Sequence, residues 1–134
     1  MLRLEGDALR TAWPQLRYMI EQARDKSKCT DAFIVEDVYH QCMINDTFCY
    51  VVGEGATIQG ALFLRPVNNF GEMELHVWLA CFRRPASLAN HVQWLEELAR
   101  SIKAQRITCH SPRAFEKYLE GTEVVSKRFV KELF

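Results

Sequence analysis

Apolar and polar positions change period twice along this chain, and the changes mark out its elements. From Asp7 onward, Leu9, Trp13, Leu16, Ile20 and Ala23 recur every three or four residues. That spacing predicts an amphipathic helix, with a restart or kink at Pro14 because an internal proline removes a backbone hydrogen bond. The polar stretch DKSKCTD ends it. Ile34, Val35, Val38 and Cys42, with Asp31 upstream as a cap, predict a second short helix to about Asn45. Ahead of both, Leu2 and Leu4 alternate with Arg3 and Glu5, the pattern of a short strand or an extended lead-in.

The middle third turns to strand periodicity. Phe48 to Val52 and Thr57 to Arg65 are rich in β-branched and aromatic residues and flank Gly53-Glu54-Gly55, which predicts a β-hairpin. After Pro66 and the turn-forming Asn68, Asn69 and Gly71, the stretch Glu72 to Phe82 sets Met73, Leu75, Val77, Leu79 and Cys81 against Glu74, His76, Trp78 and Ala80. An antiparallel meander is expected. Helical spacing then returns in Leu88, Val92, Leu95, Ala99 and Ile102, with Pro85 before the stripe and Ser87 or Asn90 near its start. Arg106 to Cys109 reads as a short strand, Arg113 to Glu120 as a short helix closed by Gly121, and Glu123 to Leu133 as a last extended segment.

Composition narrows the setting of these elements. In 134 residues, 49% are apolar and 25% charged, which suits one globular domain over 1–134 and excludes a disordered chain. Lys and Arg balance Asp and Glu at 17 each, so no overall field gathers nucleic acid or an anionic membrane. No run approaches a membrane span, and the charged N-terminus lacks a signal-peptide core, so a soluble, cytoplasmic protein is expected. The five cysteines are scattered through apolar stretches and read as reduced core residues. Their spacing offers neither CxxC nor HxxxH pairs, so no metal site is expected.

The predicted order, (β)-α-α-β-β-β-α-β-α-β, resembles that of the GCN5-related N-acetyltransferase family. The stretch CYVVGEGATIQGALFLRP is similar to that family's second and third strands, with Gly60 in the third, and Glu72 to Phe82 to its fourth. The resemblance implies an α/β (α+β) fold with a mixed, mostly antiparallel central sheet flanked by helices. It also implies transfer of an acetyl group from acetyl-coenzyme A to an amine acceptor, with the coenzyme between the fourth and fifth strands. The family's pyrophosphate loop is Arg/Gln-x-x-Gly-x-Gly/Ala, and the matching string here is Arg84-Pro85-Ala86-Ser87-Leu88-Ala89. Arg84 and Ala89 fit the ends; Ser87 stands where the family has glycine, and Pro85 removes one N–H. A serine hydroxyl can itself donate to phosphate.

The coenzyme-binding candidates implied are thus Leu79, whose strand backbone would hold the acyl carbonyl, and Arg84, Ala86, Ser87, Leu88 and Ala89. Glu74 and His76 share one face of the fourth strand and are candidate bases for an amine substrate. The same alternation also describes a plain half-buried strand face, with Trp78 packed beside it. Family members carry an acidic tyrosine four residues before the glycine that ends the short helix. That position is Lys117 here, and the adjacent Tyr118 is the candidate acid. The short length, the altered loop and the ending AFEKYLEGTEVVSKRFVKEL are also similar to small acetyltransferase-like proteins of tailed bacteriophages, some of which are virion components or interaction proteins. A catalytically degenerate module binding a phage or host protein is therefore the alternative expectation.

Overall fold

A computed structural model of the chain describes residues 1–26, 35–54 and 56–109. The expectations at Asp31, at Tyr118, and for the C-terminal helix and strand lie outside the described residues. The elements are β1 (Leu2–Leu4), α1 (Gly6–Lys26), α2 (Val35–Met43), β2 (Phe48–Glu54), β3 (Thr57–Asn69), β4 (Glu72–Phe82), a 3-10 helix (Pro85–His91), α3 (Val92–Ser101) and β5 (Arg106–Cys109). The strands form one sheet in the order β1-β2-β3-β4-β5, antiparallel throughout except for the parallel pair β4 and β5. This is a mixed α/β fold with a mostly antiparallel sheet between helices.

Each face of the sheet is closed by its own helices. On one face, Leu9, Leu16 and Ile20 of α1 and Val38 and Cys42 of α2 pack on Cys49, Val51, Ala61, Phe63 and Cys81. On the other, Leu88, Leu95 and Ala99 pack on Leu62, Leu64, Leu75 and Val77. Each fully buried leucine contributes about 1.5–3 kcal/mol, so both faces are needed to hold the sheet. Gln15 joins α1 to the sheet by acting as a short stretch of strand. Its Nε2 donates to the Ala56 carbonyl at 2.7 Å, and its Oε1 accepts the Ile58 N–H at 3.0 Å.

Four sequence expectations are corrected. The first helix runs unbroken through Pro14. The proline side chain is exposed, and burial of Leu9, Leu16 and Ile20 on the opposite stripe outweighs one lost hydrogen bond. β3 continues past Arg65 to Asn69 with Pro66 inside it. Beyond Leu64 it has lost β2 as a neighbour, and a free edge is where a strand tolerates a residue without an N–H. The long helix expected from about Leu88 is α-helical only from Val92, the preceding turns being 3-10. The regular alternation expected along the fourth strand breaks at Trp78, as described below.

The β3–β4 turn has two central residues, Phe70 and Gly71, both at positive φ (52° and 85°), with Asn68 Oδ1 accepting the Gly71 N–H at 2.9 Å. Two-residue hairpins need this twist, which Asn-Gly adopts most readily. Phe70 is fully exposed and gains no packing in return. Phe70→Asn should therefore raise stability by about 1 kcal/mol, read as a higher urea midpoint with an unchanged slope.

Cys42, Cys49 and Cys81 are buried in the core beneath α1 and α2. Burial pushes the thiols of Cys42 and Cys81 up to about 12. Burial raises Cys49 further still, with smaller contributions from the other two thiols. A folded-state pKa above the unfolded one favours the folded state below the unfolded pKa and loses that advantage as pH climbs through the folded value. Stability should fall between about pH 9 and pH 12, and less steeply in a Cys42→Ala, Cys81→Ala variant. Of the described cysteines, the partly exposed Cys109 should be the first alkylated in the native state at pH 8.

Candidate functional site

Strand β4 organises the site because its two edges keep different partners. Its ladder with β3 pairs Phe63 with Leu79 and then Leu64 with Val77, so Trp78 is an extra residue with no opposite number. The parallel ladder with β5 joins Glu74 to Arg106, Leu75 to Ile107, His76 to Thr108 and Val77 to Cys109. The bulge at Trp78 follows directly on the last of these pairs. Bulges concentrate beside active sites for this reason: they re-aim side chains and end pairing.

The bulge also changes which face each residue meets. Below it, Leu75 and Val77 face α3; above it, Ala80 and Phe82 do, while Leu79 and Cys81 turn toward α1 and α2. Gly60 lies opposite Phe82, and the Phe82 ring occupies the space a side chain at Gly60 would need. Only glycine fits under that ring.

Below the bulge lies a polar strip. Arg106 donates to Glu72 Oε2 at 2.7 Å and pairs with Glu74 Oε2 at 3.2 Å, while Asn69 Nδ2 donates to Glu74 Oε1 at 3.3 Å. Glu74 is 8% exposed, and both of its oxygens are engaged. His76 Nδ1 lies 2.9 Å from the Thr108 hydroxyl, its register partner on β5. On the other side His76 is the cross-strand partner of Arg65, whose guanidinium sits 5.0 Å over the Trp78 ring. Glu74 and His76 thus lie on one strand, with Asn69 and Arg106 around the first and Arg65 and Thr108 beside the second.

At the upper end, β4 passes through Arg83 and Arg84 into the 3-10 helix. Arg83 Nε donates to the Ile58 carbonyl at 2.9 Å, which fixes the strand end against β3. Arg84 is exposed and extended, with no side-chain cap hydrogen bond. The Ser87 N–H donates to the Arg84 carbonyl at 2.8 Å, and Pro85 has no N–H to offer. Leu88 is a core residue, 3% exposed, and Ala89 faces solvent. His91 stacks on Phe82 at 5.8 Å; burial, and secondarily the Met1 amino group, lower its pKa. Both effects favour its neutral ring, and the positive charges at this end are those of Arg83, Arg84 and the Met1 amino group.

No protein-family model matches the sequence, and no curated protein matches it. Solved structures do. An aminoglycoside acetyltransferase from an uncultured soil metagenomic sample, in complex with sisomicin, superposes with a TM-score of 0.71 at 11% identity, over 98% of this chain and 94% of that one. The chain has the acetyltransferase fold. A ribosomal-protein-alanine N-acetyltransferase from Brucella melitensis biovar Abortus 2308 matches with a TM-score of 0.69 at 12% identity, over 97% and 96% of the two chains. A probable acetyltransferase matches with a TM-score of 0.69 at 12% identity, over 99% and 97%. Across these likenesses the acetyltransferase fold is kept while nearly nine residues in ten differ.

Nothing in the sequence singled out the residues that complete the polar strip. Arg65 ends an apolar run, and Thr108 and Arg106 sit in a four-residue strand; only pairing register joins them to β4. The strip makes a structural prediction. Arg106→Gln should destabilise the fold by about 1–3 kcal/mol by leaving the buried Glu74 carboxylate without its charged partner. Adding Glu74→Gln should recover most of that loss in a double-mutant cycle, whereas an additive loss would show that the pair is not coupled.

Proposed function

We propose that the chain is an N-acyltransferase that moves an acetyl group from acetyl-coenzyme A to an amine acceptor by direct attack. The acetyltransferase fold supports this reading, and one observation carries it: the bulge at Trp78 re-aims β4 between the His76 strip and the arginines that lead into the 3-10 helix.

In this reading the thioester lies along Trp78 to Phe82, with the β4 backbone at Leu79 polarising the acyl carbonyl. Arg84, the Ser87 hydroxyl and the Ala86 N–H meet the pyrophosphate, and Leu88 and Ala89 hold that segment against the core and at the surface. The acceptor nitrogen attacks the carbonyl carbon, a C–N bond forms, and the C–S bond breaks. His76 takes the ammonium proton, with Thr108 fixing its ring; Glu74, held by Arg106 and Asn69, supports the strip without being the base. Tyr118 protonates the departing thiolate. The protein then works in the cytoplasm, within the host cell if phage-encoded. Among the described residues no helix is long and apolar enough to cross a membrane, and no cluster of three metal-ligating side chains is present.

A second reading is favoured by the loop. The Ser87 N–H already bonds the Arg84 carbonyl, and Pro85 lacks a donor, so the backbone offers less to a pyrophosphate than the family loop does. On that reading the chain is a coenzyme-free interaction module, such as a virion component or a binder of a host protein. Thermal unfolding with acetyl-coenzyme A separates the two. A ligand at 100 times its Kd adds about 2.7 kcal/mol, so a rise of several degrees is expected at saturating coenzyme. An unmoved transition would establish the second reading.

A further inference from the structure

Arginine pairing across the molecule identifies the group that an acceptor must carry. Arg3, Arg10, Arg17, Arg100 and Arg106 each have a carboxylate partner, and Arg83 is bonded to a backbone carbonyl. Among the described side chains, Arg65 and Arg84 have neither. They stand on either side of the Trp78 bulge. Arg84 lies at the coenzyme end. Arg65 lies beside His76, the proposed base.

Arg65 differs from a solvated surface arginine. It is partly buried, and its guanidinium lies over the indole of Trp78, which desolvates one face and leaves the N–H fork at the rim. The nearest acids on the same strip are not available to it. Glu74 is held by Asn69 and Arg106, and Glu72 by Arg106. A guanidinium fork preset in this way matches a carboxylate in two-pronged geometry. Arg65 and His76 are cross-strand partners, with Cα atoms about 4.5–5.5 Å apart, so one small molecule can reach both.

We infer that the acceptor is an amine bearing a carboxylate close to its nitrogen, an amino acid in chemical class, with Arg65 binding the carboxylate while His76 receives the amine proton. This rests on the acyl-transfer reading and adds the acceptor to it. Arg65 is then a specificity-determining residue: it selects zwitterionic acceptors over plain amines and polyamines.

The test uses the purified full chain with acetyl-coenzyme A and, as acceptors, each of the twenty free amino acids beside its carboxamide, following release of coenzyme A thiol. Free acids should be favoured over their amides at least tenfold in kcat/KM. Arg65→Gln should remove that preference by lowering the rate with acids and leaving the rate with amides within about threefold. Arg65→Lys, which keeps the charge without the fork, should fall between. Circular dichroism and the coenzyme-induced thermal shift show whether each variant is folded. Equal use of acids and amides by the native protein, or equal loss on both in Arg65→Gln, overturns the role of Arg65 while acyl transfer stands. If acetyl-coenzyme A neither stabilises the native chain nor is turned over with any acceptor, acyl transfer itself fails and the acceptor assignment falls with it.

Discussion

The extra residue at Trp78 is the constraint on which the rest of the molecule depends. A strand that alternated without interruption from Glu72 to Phe82 would put Leu75, Val77, Leu79 and Cys81 on a single face. The face covered by α1 and α2 would then receive Ala80 and Phe82 in place of Leu79 and Cys81. With Trp78 inserted, each half of β4 gives apolar side chains to the helix that lies over it. Glu74 and His76 are left on the α1/α2 side, below the part of the strand that those helices seal. Core closure and the polar strip are therefore two consequences of one register shift.

Charge is distributed to match. The strip binds its own acids tightly: one arginine serves two glutamates, and Asn69 takes the remaining oxygen of Glu74. A buried carboxylate needs such partners to stay ionised at tolerable cost. The same bonds occupy both oxygens of Glu74 and keep it from neutralising Arg65. His76 is linked to the Thr108 hydroxyl on the same face. Among the described side chains, Arg65 and Arg84 then remain with neither a carboxylate nor a backbone carbonyl as partner, one on each side of the bulge.

Local patterns carried most of the fold. The three-to-four-residue steps of α1 and the apolar-rich strands of the meander are written in consecutive residues, so a window of ten positions contains the signal. The errors arose where a decision is made by tertiary contacts. Pro14 is tolerated because the opposite helix face is buried, Pro66 because β2 begins only at Phe48, opposite Leu64, and the bulge exists because β3 and β4 must satisfy two helix layers. The candidate site shows the same division. Glu74 and His76 could be picked out from their alternation, but Arg65, Arg106 and Thr108 become neighbours only through pairing across three strands.

The altered phosphate loop bears on how a coenzyme could be held at all. Backbone N–H groups at a glycine-rich turn are fixed before binding, so they donate without further ordering. In this chain the 3-10 turn uses the Ser87 N–H internally, which transfers the task to the side chains of Arg84 and Ser87. Long side chains lose about 0.5–1.5 kcal/mol each when immobilised, and exposed ones are screened by salt. Under the acyl-transfer reading, coenzyme affinity is then lower and more sensitive to ionic strength than a glycine loop would give. The site depends correspondingly more on the β4 backbone beyond the bulge, which β3 already holds in place.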